Sequence, residues 1–223
     1  MELENKIIDN LSQKIYNICE RGVYMNHIYE AILTRINQKK YDAFSSSDFL
    51  DLNNYKNISK ALEKMEDEKI IVRARRGIYF LNKYNKELGI YEAPSIRGIA
   101  EAIARQFNWI IIPSGNYALN IVGLSTQVPS KYVFVSSGPY NQYDVGKNQI
   151  IFKHSTSKEI TNYSYKILIA IQVLKTLGKD NIDDMVKYKL KQFLTVEDKK
   201  ELKEKRMNLT SWIYMKLIEI LEA

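Results

Sequence analysis

The stretch Phe44–Leu81, FSSSDFLDLNNYKNISKALEKMEDEKIIVRARRGIYFL, decides the fold. Its serine cluster, Ser45 to Ser47, precedes Phe49 and Leu50, and Ser45 and Asp48 stand at capping-box spacing, so a short helix is predicted there. Asn53 and Asn54 then break the chain and can cap a second helix over Tyr55–Asp67. Two β-prone runs follow, Ile70 to Arg73 and Ile78 to Leu81. They flank Arg75-Arg76-Gly77, where glycine accommodates the positive φ of a tight turn. Helix, turn, helix and an arginine-tipped hairpin are the order of a winged helix-turn-helix.

Laid out at 100° per residue, the second helix puts Ile58, Ala61, Leu62 and Met65 on one side. Lys56, Asn57, Lys60 and Lys64 fall on the other. A major-groove helix needs such a division: the apolar side docks on its own domain, while lysine meets phosphate or guanine and asparagine meets adenine. Arg73, Arg75 and Arg76 sit on or beside the hairpin tip, within reach of backbone phosphate or the minor groove. A lysine-rich helix face is also what a plain solvated surface looks like, and Glu63, Glu66, Asp67 and Glu68 dilute its charge.

Outward from this stretch, a helix is expected over about Met25 to Gln38, with Ile28, Ile32, Leu33 and Ile36 on its apolar side. It serves as the first helix of the winged domain, taken as residues 25–82. Residues 1–24 carry a further amphipathic helix, with Leu3, Ile7, Leu11 and Ile15 in one stripe. That helix either braces the domain or pairs with its copy in a homodimer. Residues 83–95 are polar and contain Gly89 and Pro94, which makes them the expected linker.

The remainder, residues 96–223, is expected to form a second domain of a small sheet with several helices, making the whole chain α+β. A helix over about Ile96 to Phe107 opens it. Strands follow at Trp109–Ile112 and Tyr132–Ser136, with a short helix, Asn116–Val122, between them. Tyr143–Val145 and Gln149–Lys153 form a hairpin around Gly146-Lys147-Asn148. From Ser157 onward the pattern is helical, with Ile167, Leu168, Ile171 and Leu174 as one core stripe. Asp180-Asn181 is expected to cap the next helix, and Thr195 with Asp198 the one after it.

Composition narrows the function classes. The 223 residues are 45% hydrophobic and 26% charged, an ordinary globular balance. A net charge of +7 favours a polyanionic partner. The single cysteine, Cys19, excludes an internal disulfide and makes a reducing compartment the default. No apolar run reaches transmembrane length and MELENKIIDN is not a signal peptide, so a cytoplasmic protein without membrane contact is expected. Two histidines far apart and one cysteine do not make a zinc site of ordinary spacing. Gly146-Lys147-Asn148 lacks the spacing and hydroxyl of a phosphate-binding loop, and there is no nucleophile elbow. No cofactor, metal or catalytic residue is predicted.

One segment of the second half concentrates small, amide and hydroxyl side chains between two strands: Pro113-Ser114-Gly115-Asn116-Tyr117 through Ser125-Thr126-Gln127-Val128-Pro129. A helix N-terminus after Ser114 could bind an anion, and a capped helix followed by a turn explains the same residues. Here the chain resembles a known family. IPSGNYALNIVGLSTQVPSKYVFVSSG, then the strand ending IIFKHS, then LGKDNIDD, are similar to the C-terminal domain of AbiEi-like antitoxins of type IV toxin–antitoxin systems, which act in abortive phage infection. The likeness continues upstream through EAIARQFNW, SSSDFLDL and RARRGIYFL. It implies a winged-helix domain that binds operator DNA and represses its own operon. It also implies a second domain that counters a nucleotidyltransferase toxin without a stable complex. Turns bordering strands serve recognition, so Ser114, Asn116, Tyr117 and Gln127 are the candidate antitoxin surface, joined by Lys153 and His154 if the strands are neighbours. Direct sequestration of the toxin and plain transcriptional regulation are the alternatives.

Overall fold

The computed structural model describes residues 27–156, 160, 162–205 and 209–222. The expected helix of residues 1–24 lies outside them. The chain is α+β and divides into two compact units between Gln106 and Phe107.

The first unit starts with helix α1, residues 27–39. Ile28, Ile32 and Ile36 recur every fourth residue and are buried, as the apolar period requires. A 3-10 helix, Ser46–Phe49, follows. The Asp48 carboxylate accepts the Ser45 N–H at 2.8 Å, which closes the first turn. Helix α2 spans Tyr55–Asp67, with Asn54 as its cap: the Asn57 N–H donates to Asn54 Oδ1 at 3.0 Å. Ile58, Ala61, Leu62 and Met65 are its buried residues. They share a core with Ile32, Ile36, Phe44, Phe49 and Ile71. Phe44 and Phe49 meet edge to face, 5.6 Å between centroids.

Strands β1 (Ile71–Arg75) and β2 (Ile78–Leu81) pair antiparallel. Arg76-Gly77 makes the turn, and only Gly77 takes a left-handed φ, 79°. A bulge between Arg73 and Arg75 shifts the register next to it. Phe44 joins this hairpin by exchanging two backbone bonds of 2.8 Å with Tyr79.

The segment taken from sequence as a linker contains a second small hairpin, β3 (Tyr84–Asn85) with β4 (Ile90–Tyr91). Tyr84 and Tyr91 face each other across it. Helix α3, Ile96–Gln106, belongs to the first unit rather than to the second, where sequence reasoning put it. It packs on the 3-10 helix and on β2. Gly98 allows this approach, since a Cβ there would stand 2.3 Å from Asp42 Oδ2. The same carboxylate accepts from Ser95 N and Oγ, at 2.9 and 2.6 Å.

The second unit holds a four-stranded sheet. Its strands are β5 (Ile111–Ser114), β6 (Lys131–Ser136), β7 (Asn141–Val145) and β8 (Asn148–His154), in the order β5-β6-β8-β7. The β6–β8 pair is parallel and the other two pairs are antiparallel. Helix α4, Gly115–Val122, follows β5 directly and ends at Gly123, φ 77°. Helix α5, Tyr165–Leu177, is buried at every residue from Ile167 to Leu174, not along one stripe. The reason is its place: α4, β5 and two later helices surround it. Those later helices are α7, Val196–Glu204, and α8, Ser211–Glu222. Between α5 and α7 lies α6, Asp184–Phe193. Its cap is Asp183, whose Oδ1 accepts the Val186 N–H at 2.9 Å, whereas Asp180-Asn181 form a separate 3-10 turn.

Asp198 ties two helices together. Its buried carboxylate accepts from Thr195 N at 2.8 Å and Thr195 Oγ1 at 2.9 Å, and from Ser164 Oγ at 2.5 Å. Burial pushes its pKa up, but the bonds from Ser164 and Thr195, with the Lys166 charge, outweigh burial and hold the carboxyl below its usual value.

Candidate nucleic-acid interface

Helix α2 presents two different halves to solvent. Lys56 and Lys60 in the N-terminal half are exposed and hold no carboxylate partner among the described residues. Tyr55, one position earlier, is 64% exposed. The positive end of the helix dipole lies at the same end. The C-terminal half is acidic, with Glu63, Asp67 and Glu68 exposed. The cationic surface is therefore confined to the first two turns.

The other sequence-predicted cations are engaged to different degrees. Lys64 Nζ lies 3.7 Å from Glu68 Oε1 and 5.3 Å from the centre of the Tyr29 ring. Arg73 Nη2 meets Glu66 Oε2 at 2.5 Å, and its guanidinium stands 5.4 Å over the Tyr79 ring. The bond to Glu66 raises the pKa of Arg73 further. Arg75 lies on β1 at the turn and is half-buried, while Arg76 is exposed at the turn itself. Asn57 is half-buried, and its Nδ2 donates to Asn53 Oδ1 at 3.0 Å. One of its amide hydrogens is thus committed to the helix cap. Lys56, Lys60 and Arg76 are the predicted contacts with no carboxylate partner among the described residues.

Tyr29 lies beneath Lys64. Its hydroxyl is buried without a hydrogen-bond partner among the described residues. Burial first, and then Glu68 and Asp67, push its pKa up to about 12.

Of the second unit's candidates, Asn116 and Gln127 are exposed. Ser114 Oγ is turned to the buried Gln172, 3.1 Å from its Oε1. Tyr117 packs edge to face on Tyr132 and Phe134, with centroids 5.0 and 5.5 Å away. The segment after α4 folds back on that helix, since Asn120 Nδ2 donates to the carbonyls of Ser125 at 2.8 Å and Gln127 at 3.2 Å. Lys153 and His154 lie on β8, which neighbours β6 but not β5. In register, His154 aligns with Ser136 and so with Ile111, the opposite end of β5 from Ser114. His154 Nδ1 is 2.9 Å from the Gly138 carbonyl, and Gly138 packs on the Trp109 indole.

Sequence reasoning missed Tyr55, Ser95 and Arg105. Tyr55 had a readable signal, an aromatic side chain at the first position of a capped helix. Ser95 and Arg105 had none, because their partners are distant in the chain.

No group of three metal-ligating side chains occurs among the described residues. No helix among them is long and apolar enough to cross a membrane. The protein is thus an α+β chain of two units, the first with a basic-ended helix beside an arginine-turned hairpin. It belongs to a family of unknown function, DUF6088, whose family model matches residues 30–202. That match begins inside α1, ends inside α7, and so spans both units. No curated protein matches the chain.

Proposed function

We propose that the protein is a DNA-binding antitoxin of the AbiEi type, which represses its own operon and counters a nucleotidyltransferase toxin without a stable complex. In this reading α1, the Phe44 bridge, the 3-10 helix, α2 and the β1–β2 hairpin form a winged helix-turn-helix. Helix α2 enters the major groove and Arg76-Gly77 is the tip of the wing. The observation that carries it is the division of α2. One face is buried in the core, and the other offers Lys56 and Lys60 at the end where the helix dipole favours phosphate. The antitoxin half rests on the ordered run of motifs from IPSGNYALN to LGKDNIDD, and Asn116 and Gln127 are the surface residues assigned to it. The second unit acts as a non-enzymatic binding module.

The test is binding of the full-length protein to DNA upstream of its own gene, measured by fluorescence anisotropy with random duplex as competitor. Upstream DNA is expected to bind at least a hundredfold more tightly than random duplex. Replacing Lys60, Arg75 and Arg76 together removes most of that binding. Unchanged affinity in the triple variant refutes the interface. Co-expression with a neighbouring nucleotidyltransferase tests the other half. Asn116→Ala with Gln127→Ala is expected to lose rescue while keeping DNA binding, and full protection by this folded variant refutes the surface.

A further inference from the structure

We infer that Arg105 of α3 is a positioning residue for α2, acting through the 3-10 helix; this rests on the DNA-binding reading of α2. Arg105 Nε donates to Asp48 Oδ1 at 2.7 Å, and Nη2 donates to the Ala43 carbonyl at 2.8 Å. Its guanidinium lies 4.5 Å from the centre of the Tyr41 ring. The Asp48 side chain is only 4% exposed, so the pair is shielded from water on the carboxylate side. The other Asp48 oxygen accepts the Ser45 N–H that starts the 3-10 helix. One guanidinium thus holds the residues before the 3-10 helix, its first turn and its carboxylate cap at once.

The 3-10 helix in turn sets α2. Phe49, fully buried at its end, packs into the α2 core, and the Leu52 N–H donates to the Phe49 carbonyl at 2.9 Å. At its other end α3 is pinned by Ser95 on Asp42. Two ties, one at each end of α3, place the helix-turn-helix on a frame that ends one residue before the second unit begins. A planar fork suits this job and an ammonium does not, because three directed bonds, the third from Nη2 to Asp48 Oδ2 at 3.4 Å, and one ring contact leave a single arginine geometry.

The experiment uses full-length protein with Arg105→Lys, Arg105→Ala, Asp48→Asn and, as control, Arg97→Ala on the same helix. Affinity for upstream and random DNA is measured across salt, and hydrogen exchange is followed by mass spectrometry. The Arg105 and Asp48 variants are expected to lower the ratio of upstream to random affinity about tenfold while leaving the salt slope unchanged. Exchange across residues 45–52 accelerates at least tenfold, and Arg97→Ala changes neither. Equal weakening on both DNAs with a slope reduced by about one makes Arg105 a phosphate contact and overturns the inference. An unchanged affinity ratio in Arg105→Lys, where the charge and the aliphatic stem are kept, also overturns it. If the wild type discriminates no DNA, the DNA-binding reading fails by itself. Exchange across 45–52 then decides the positioning role: acceleration sustains it and wild-type exchange overturns it.

Discussion

Replacing Glu66 with glutamine separates the arginines of the hairpin by whether a carboxylate already pairs with them. Glu66 holds the Arg73 guanidinium at 2.5 Å, with the two side chains 28% and 47% exposed. A partly exposed pair of this kind contributes roughly 0–1 kcal/mol, so its loss leaves the fold intact. What Glu66→Gln removes is the carboxylate that competes with phosphate for Arg73. If the hairpin lies on the DNA backbone, the freed arginine adds one phosphate contact. The plot of log affinity against log salt then steepens by about 0.9. Over a fourfold rise in salt, from roughly 50 to 200 mM, the variant loses about 3.5-fold more affinity than the wild type. Arg73→Ala starts from a paired cation and leaves the slope near that of the wild type. Arg76→Ala removes a charge with no carboxylate partner among the described residues and flattens the slope by about 0.9. Anisotropy titrations of one labelled duplex at several salt concentrations read all three, with melting temperatures confirming that each variant is folded. Arg73→Ala flattening the slope as much as Arg76→Ala, with Glu66→Gln unchanged, refutes the reasoning.

Three further outcomes bear on stability, each measured by urea unfolding of the full chain. Gly138→Ala places a Cβ 2.2 Å from Trp109 Cε2 and is expected to cost about 2 kcal/mol, since the indole must shift within a packed aromatic cluster; a stability equal to wild type contradicts the packing. Tyr29→Phe deletes a buried hydroxyl that has no partner among the described residues and should stabilise by about 1 kcal/mol, whereas destabilisation would reveal a bond the hydroxyl makes. Asp198→Asn should cost about 2 kcal/mol near neutral pH, because it weakens bonds to a charged carboxylate that joins Thr195 and Ser164. The folded carboxyl is more acidic than the unfolded one, whose pKa is about 3.9, so its contribution is complete above that value. It is lost as pH falls through the lowered folded pKa, and the gap between wild type and variant closes there; a gap independent of pH contradicts the assignment.

Two of the corrections have one cause each. The cap of α6 is Asp183 and not Asp180-Asn181, because Gly178 and a 3-10 turn take up the residues in between. The helix at Ile96 reads equally well as the start of one domain or the end of another. Contacts such as Gly98, pressed on Asp42, and Arg105, reaching Asp48, assign it to the first unit. Neither contact leaves a periodic trace.

What the chain's own order determines here is local. Helix α2 is bounded as its pattern predicts, because the Asn54 cap and the Ile58, Ala61, Leu62, Met65 spacing act within a few residues. The same holds for the Thr195–Asp198 cap; the expected hairpin around Gly146-Lys147-Asn148 is also present, with strands Asn141–Val145 and Asn148–His154 longer than the expected Tyr143–Val145 and Gln149–Lys153. Tertiary structure decided which polar groups remain available. Lysines and arginines look alike in sequence, yet Arg73 is held by Glu66, Lys64 lies near Glu68 and Tyr29, and Lys56, Lys60 and Arg76 have no carboxylate partner among the described residues. It also decided that β8 lies between β6 and β7, and that α5 is covered on all sides. Caps and apolar periods stabilise elements through neighbours in the chain, whereas ion pairs and strand order depend on residues brought together only when the core closes. Arg105 and Asp48, separated by 57 positions, meet only in that closed core.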